Sequence, residues 1–149
     1  MTSPTPAGRF GRGLLLDDGD LVLDRGRLVE VEGIPNLTQA LTLRVLTPFG
    51  SDRFNVGYGL DVVQAFTAPT GVRMVKEIIK LNLVSTLGTD PRVREVRSVT
   101  FDDDPDRLAA HPERAQPVRA AHHRRVWTVE VEIETSTGDA LTLLVNVEV

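Results

Sequence analysis

The strongest constraint on the fold lies near the C-terminus. Trp127, Val129, Val131 and Ile133 alternate with Thr128, Glu130, Glu132 and Glu134, and after Ser136-Thr137-Gly138-Asp139 the alternation resumes through Leu141, Leu143, Val145 and Val147. A period of two sends successive side chains to opposite faces of a strand. The two runs and their short turn therefore predict an antiparallel hairpin with one buried face and one wet, acidic face. The glutamate stripe reads as solubility and edge protection rather than catalysis.

A helical pattern is nearly as clear. Val72, Val75, Ile79, Leu83 and Leu87 fall on one face with Ile78 beside them, while Arg73, Lys76, Glu77 and Lys80 lie away from it. This predicts a central core helix over 72–87, with Thr70 as its cap and Gly88 ending it in a left-handed conformation. Asn36 and Gln39 stand at capping-box spacing before Leu37, Ala40, Leu41 and Val45, which predicts a second helix stopped by Pro48. In the turn-rich loop 49–59 the rings of Phe54 and Tyr58 are expected to pin the chain to the core. Leu60, Val63 and Phe66 mark a short third helix.

The remaining segments are less regular. Residues 20–32 read as an N-terminal hairpin turning at Asp24 to Arg27, where Gly26 supplies a positive φ. Val93, Val96 and Val99 are three apart, which fits neither period; an irregular entry at 90–94 followed by a strand over 95–101 is expected. No internal repeat is visible. Met1 to Gly13, rich in Ser, Thr, Pro and Gly, reads as a flexible tail, leaving 14–149 as one small α+β domain with a long loop at 102–125.

Composition narrows the function by exclusion. A chain of 149 residues without cysteine holds no disulfide and no thiolate zinc site. A net charge of −4 argues against broad nucleic-acid binding. The longest apolar run is far short of the ~20 residues that cross a bilayer, and Leu14-Leu15-Leu16 is too short for a signal-peptide core, so a cytoplasmic protein with no membrane segment is expected. Asp102, Asp103, Asp104 and Asp106 lack the alternation, glycine and distal Glu of a calcium loop, and His122-His123 are adjacent side chains that point apart. No nucleophile, base and orienter come together in the sequence. The expectation is a protein that is not an enzyme, with no catalytic residue, cofactor or metal, and with a sheet edge that is either open to strand addition by a partner or capped by the N-terminal hairpin or the long loop.

Several segments also line up in order with a known family. Asn36 to Gly50, containing Leu43-Arg44-Val45-Leu46-Thr47-Pro48-Phe49-Gly50, followed by Phe54-Asn55-Val56-Gly57-Tyr58-Gly59, resembles that family's helix, Leu-Thr-Pro-x-Gly turn and downstream Tyr-Gly. Asp90-Pro91-Arg92, between the core helix and the next strand, resembles its Glu-Pro-Arg hallmark, with Asp in place of Glu and one methylene less reach. The family is that of the lysozyme-like baseplate wedge proteins of contractile phage tails, with relatives in type VI secretion and extracellular contractile injection systems. The resemblance covers about Leu21 to Val147. It implies a structural subunit of a six-fold baseplate that clasps the wedge core bundle around the tail hub, with hub or spike proteins as further candidate partners, and whose sheet joins strands of the first sheath ring. Asp90, Pro91 and Arg92 would contact the wedge proteins. An internal Asp90–Arg92 bridge is the competing reading of that tripeptide. A peptidoglycan hydrolase and a free-standing peptide-binding adaptor are the alternatives for the whole chain.

Overall fold

Asp18-Gly19 and Arg25-Gly26 each occupy the two central positions of a tight hairpin, and all four residues have positive φ, at 49°, 85°, 48° and 76°. That geometry matches the right-handed twist of the flanking strands. The structure, a computed structural model, describes residues 6–67, 71–115, 117–118 and 126–148. The protein is α+β, and it divides into two compact units, Met1–Leu41 and Thr42–Val149.

The first unit opens with a one-turn helix, α1 (Pro6–Arg9), and six short strands: β1 (Arg12–Leu14), β2 (Leu16–Asp17), β3 (Asp20–Leu21), β4 (Leu23–Asp24), β5 (Arg27–Leu28) and β6 (Glu30–Glu32). They form three antiparallel ladders, β1 with β6, β2 with β3 and β4 with β5. The ladders meet at a closed ring of hydrogen bonds: Leu15 N donates to Val29 O, Val29 N to Val22 O, and Val22 N to Leu15 O. These three residues are seven apart. The register repeats with the same step, Leu16 opposite Leu21 and then Leu23 opposite Leu28. A seven-residue repeat is therefore present where none was visible, and the hairpin expected at Asp24 to Arg27 is one of two. The stretch read as a flexible tail carries, in its described part, the buried Phe10 and two residues of β1.

Helix α2 (Gly33–Leu46) begins three residues earlier than the expected cap. The capping box does not form, because both amides are engaged farther away. Asn36 Nδ2 donates to Phe10 O at 2.9 Å, and Gln39 straddles the junction, accepting from Leu16 N at 2.9 Å and donating to Leu14 O at 2.7 Å. Gly13 is required there, since a Cβ would sit 2.6 Å from Asn36 Oδ1.

The second unit holds α3 (Val63–Thr67), α4 (Val72–Gly88), β7 (Val93–Phe101), α5 (Pro105–Ala110), β8 (Val126–Thr135) and β9 (Ala140–Glu148). The sheet is antiparallel, ordered β7-β8-β9, and ends in the expected C-terminal hairpin with Ile133 opposite Leu141 and Val129 opposite Val145. Its core includes Val129, Val131 and Ile133 of β8, Leu143 and Val145 of β9, and Ile79, Leu83 and Leu87 of α4, with α4 packed along β7. Val72, expected on that helix's buried face, is exposed at the first turn. The Thr70 cap lies outside the described residues. Gly88 stays within the helix, and Thr89 comes next at φ −77°, so the expected left-handed stop is absent. The helix end is satisfied instead by Thr89 Oγ1 and Arg44 donating to Thr86 O.

Two register shifts explain the three-residue spacing in β7. Val93 pairs with Thr135, Glu95 with Glu134, Val96 with Ile133 and Ser98 with Glu132, leaving Arg94 and Arg97 as extra residues. Each bulge resets the alternation, so valines three apart return to one face. Both extra arginines ion-pair with Glu134, while Arg107 reaches Glu130 and Ser98 Oγ donates to Glu132. The acidic face is thus lined with bases and a hydroxyl. The expected long loop contains α5, capped by Asp104, whose side chain accepts from Asp106 N, with Pro105 in the first turn.

Candidate functional site at the α4–β7 turn

A proline fixes its own φ and biases the preceding residue toward extended backbone, so Asp90-Pro91-Arg92 ends the helical path after α4. Main-chain hydrogen bonds tie this turn down on both sides. Asp90 N donates to Leu87 O, Val93 N donates to Asp90 O at 2.9 Å, and Ser136 N of the β8–β9 turn donates to Arg92 O at 2.8 Å. The Asp90 side chain, which the resemblance would set against a wedge partner, is buried in this chain; the residue is only 5% exposed. Its Oδ1 accepts from Arg92 N at 3.0 Å and from Arg92 Nε at 2.9 Å, and its Oδ2 accepts from Arg92 Nη2 at 2.8 Å. This is a bidentate guanidinium–carboxylate fork, the strongest geometry available to the pair. The hydrogen bonds from Arg92 hold the Asp90 carboxyl below its usual pKa, and those same bonds raise that of Arg92. Pro91 is exposed and Arg92 half-buried, so they form the outer surface of the turn.

The other motif segments converge on the same place. Arg44, near the end of α2, donates to Thr89 Oγ1 at 2.8 Å, and its guanidinium lies 4.5 Å from the Tyr58 ring centroid. Tyr58 is half-buried; desolvation raises its pKa against the opposing pull of Arg44. Gly59 seals the base of the loop. Its φ is +109°, and a Cβ there would meet Thr47 O at 2.5 Å and Pro48 C at 2.9 Å. Thr86 Oγ1 donates to Gly59 O at 2.7 Å, while Leu60 N donates to Thr47 O and Phe49 N to Leu60 O. The Thr-Pro turn, the Tyr-Gly pair and the Asp-Pro-Arg turn, far apart in sequence, thus form one cluster. Tyr58 helps to anchor the loop, as expected. Phe54 does not: it is fully exposed, because Asp52 Oδ1, accepting from Phe54 N and Asn55 N, shapes that turn in place of ring packing.

Within this cluster the Arg92 guanidinium is engaged by the Asp90 carboxylate, and that of Arg44 by Thr89 Oγ1, the Thr86 carbonyl and the Tyr58 ring. Among the described residues no group of three or more His, Cys, Asp or Glu is placed to hold a metal ion. Asp102 Oδ2 accepts from Thr128 N, Asp103 ion-pairs with Lys76 and Asp104 caps α5, while His122 and His123 lie outside the described residues. No described helix is long and apolar enough to cross a membrane. The chain matches no protein-family model and no curated protein.

The sheet edges differ from each other. β7 carries two bulges with an arginine at each, and bulged, charged edges resist pairing with another strand. β9 pairs with β8 over nine consecutive residues without a register shift, and no described strand pairs with its other side. Beside its C-terminal end lies a groove of about 340 Å³, lined by Leu46, Pro48, Leu60, Val62 and Val147. Sequence reasoning found the hairpin but not this asymmetry, although the three-residue spacing of the β7 valines carried the signal.

Proposed function

We propose that this chain is a structural subunit of the baseplate of a contractile injection system or contractile phage tail. It works in the cytoplasm, without cofactor or catalysis, clasping the wedge core bundle in a six-fold ring and receiving a β-strand from the first sheath ring. The observation that supports this most is the convergence of the three resembling segments on one cluster, although Asp90 lies 31 positions beyond Gly59. A shared cluster is what a common structural role would produce. The wedge contact is assigned to the outer surface of the turn, Pro91 and Arg92, with Asp90 acting from inside by fixing the guanidinium. The sheath contact is assigned to β9. A regular unpaired edge offers main-chain donors and acceptors to an incoming strand, and the bulged β7 edge does not.

Edge lysines test the sheath assignment. Thr142 and Leu144 are exposed on β9. Thr142→Lys with Leu144→Lys should leave the domain folded and bound to wedge proteins while sheathed particles are lost from electron micrographs. Normally sheathed particles from the double variant would contradict it.

A further inference from the structure

Two grooves border β9, and they belong to different positions along the strand. Consecutive strand residues point to opposite faces, so a groove touched by Asn146, Val147 and Glu148 together runs along the strand's edge rather than under one face. This is the groove of about 340 Å³ beside the C-terminal end of β9, and its facing wall of Leu46, Pro48, Leu60 and Val62 is apolar. Val147 itself lies on the buried face of the strand. A second cavity, of about 330 Å³, includes Thr128 and Leu144 of the outer face together with Leu108, Pro117 and Val118. Val118 is buried while Leu144 stays 60% exposed, so the segment after α5 reaches the sheet without covering β9.

The charges beside the two grooves differ in sign. In the outer cavity Asp102 Oδ2 accepts from Thr128 N, and Arg107 ion-pairs with Glu130, the β8 partner of Leu144. Arg114, also lining that cavity, is exposed and makes no ion pair among the described residues. At the edge groove the bordering charge is Glu148, exposed and likewise without an ion pair among the described residues. An extended segment added to β9 would set the residue opposite Val147 on the core side and the residue opposite Leu144 on the outer side, because cross-strand neighbours share a face. The two are three residues apart.

We propose that the strand received at β9 runs antiparallel to it and carries a large apolar side chain opposite Val147 and, three residues later, a glutamate opposite Leu144. The apolar side chain fills the edge groove, where Glu148 disfavours an acid. The glutamate lays its methylenes on Leu144 and presents its carboxylate to Arg114. Antiparallel pairing continues the order of the sheet and is the more stable ladder. The inference rests on strand addition at β9 and adds the chemistry by which that edge selects one strand over another.

Fluorescence anisotropy of the full chain with labelled synthetic peptides provides the test. The parent peptide is Thr-Leu-Thr-Val-Glu-Val-Thr, whose leucine and glutamate fall opposite Val147 and Leu144 in the antiparallel register. It should bind and slow amide exchange along β9. Replacing its leucine with alanine should weaken binding about tenfold, and replacing its glutamate with lysine about threefold. Arg114→Glu, an exposed substitution with an unchanged circular dichroism spectrum, should reverse the charge preference, so that the lysine peptide binds more tightly than the parent. An alanine peptide that binds as well as the parent, or a charge preference that Arg114→Glu leaves unchanged, would overturn the inference while leaving strand addition at β9 standing. If none of the peptides protects β9, the inference falls together with the sheath assignment.

Discussion

Two buried or half-buried charges, Asp90 and Arg92, dominate the chemistry of the α4–β7 turn. Because the Asp90 carboxyl is held below its ordinary value of 3.8, the folded protein resists protonation there more than the unfolded chain does. The pair therefore contributes its full stability above the ordinary carboxylate range and loses it as pH falls through the depressed value. Asp90→Asn should flatten the acid limb of a stability-against-pH curve measured by urea unfolding. Arg92→Ala leaves a buried carboxylate without its fork and should cost about 2–3 kcal/mol at neutral pH, less than a fully buried pair because the guanidinium is part-exposed. Loss of wedge binding in that variant has to be judged at a temperature where it is still folded. Gly59 is the other sensitive position. Gly59→Ala places a Cβ against main-chain atoms at a positive φ and should cost about 2–4 kcal/mol in the same unfolding measurement.

At the scale of elements, the long periodic patterns were legible, and so was the Gly26 turn, while the capping box at Asn36 and the left-handed stop at Gly88 misled. The C-terminal hairpin and α4 each run for several periods of alternation or helical recurrence, and tertiary context only reinforces them. The capping box failed because Asn36 and Gln39 have longer-range partners at Phe10, Leu14 and Leu16, which local spacing cannot reveal. Gln39→Ala should therefore cost about 1 kcal/mol by removing the acceptor of the part-buried Leu16 N, with increased amide exchange at Leu16. A cap of α2 would instead show faster exchange in that helix's first turn. The repeat at Leu15, Val22 and Val29 leaves only a weak trace in the sequence, because its third copy runs into α2 after Gly33 instead of closing a third hairpin. Asp104-Pro105 was a readable helix start, obscured by the acidic run around it. Of the candidate site, the position of Asp90-Pro91-Arg92 at a helix-to-strand junction was legible; the inward fork was the competing reading, and it is the one the side chains adopt.

At the scale of the molecule, the second unit presents two distinct surfaces, an exposed Pro91–Arg92 turn and a regular sheet edge. The role proposed for the chain is interaction, and these are the surfaces at which that proposal is tested. Strand addition at β9 is its central claim. Amide hydrogen exchange, followed by mass spectrometry on the free chain and on assembled sheathed particles, tests it most directly. Residues 141–148 should be protected about tenfold or more in the particle relative to the free chain, with β7 changed little. Equal exchange along β9 in the two samples, or protection confined to β7, would contradict the account.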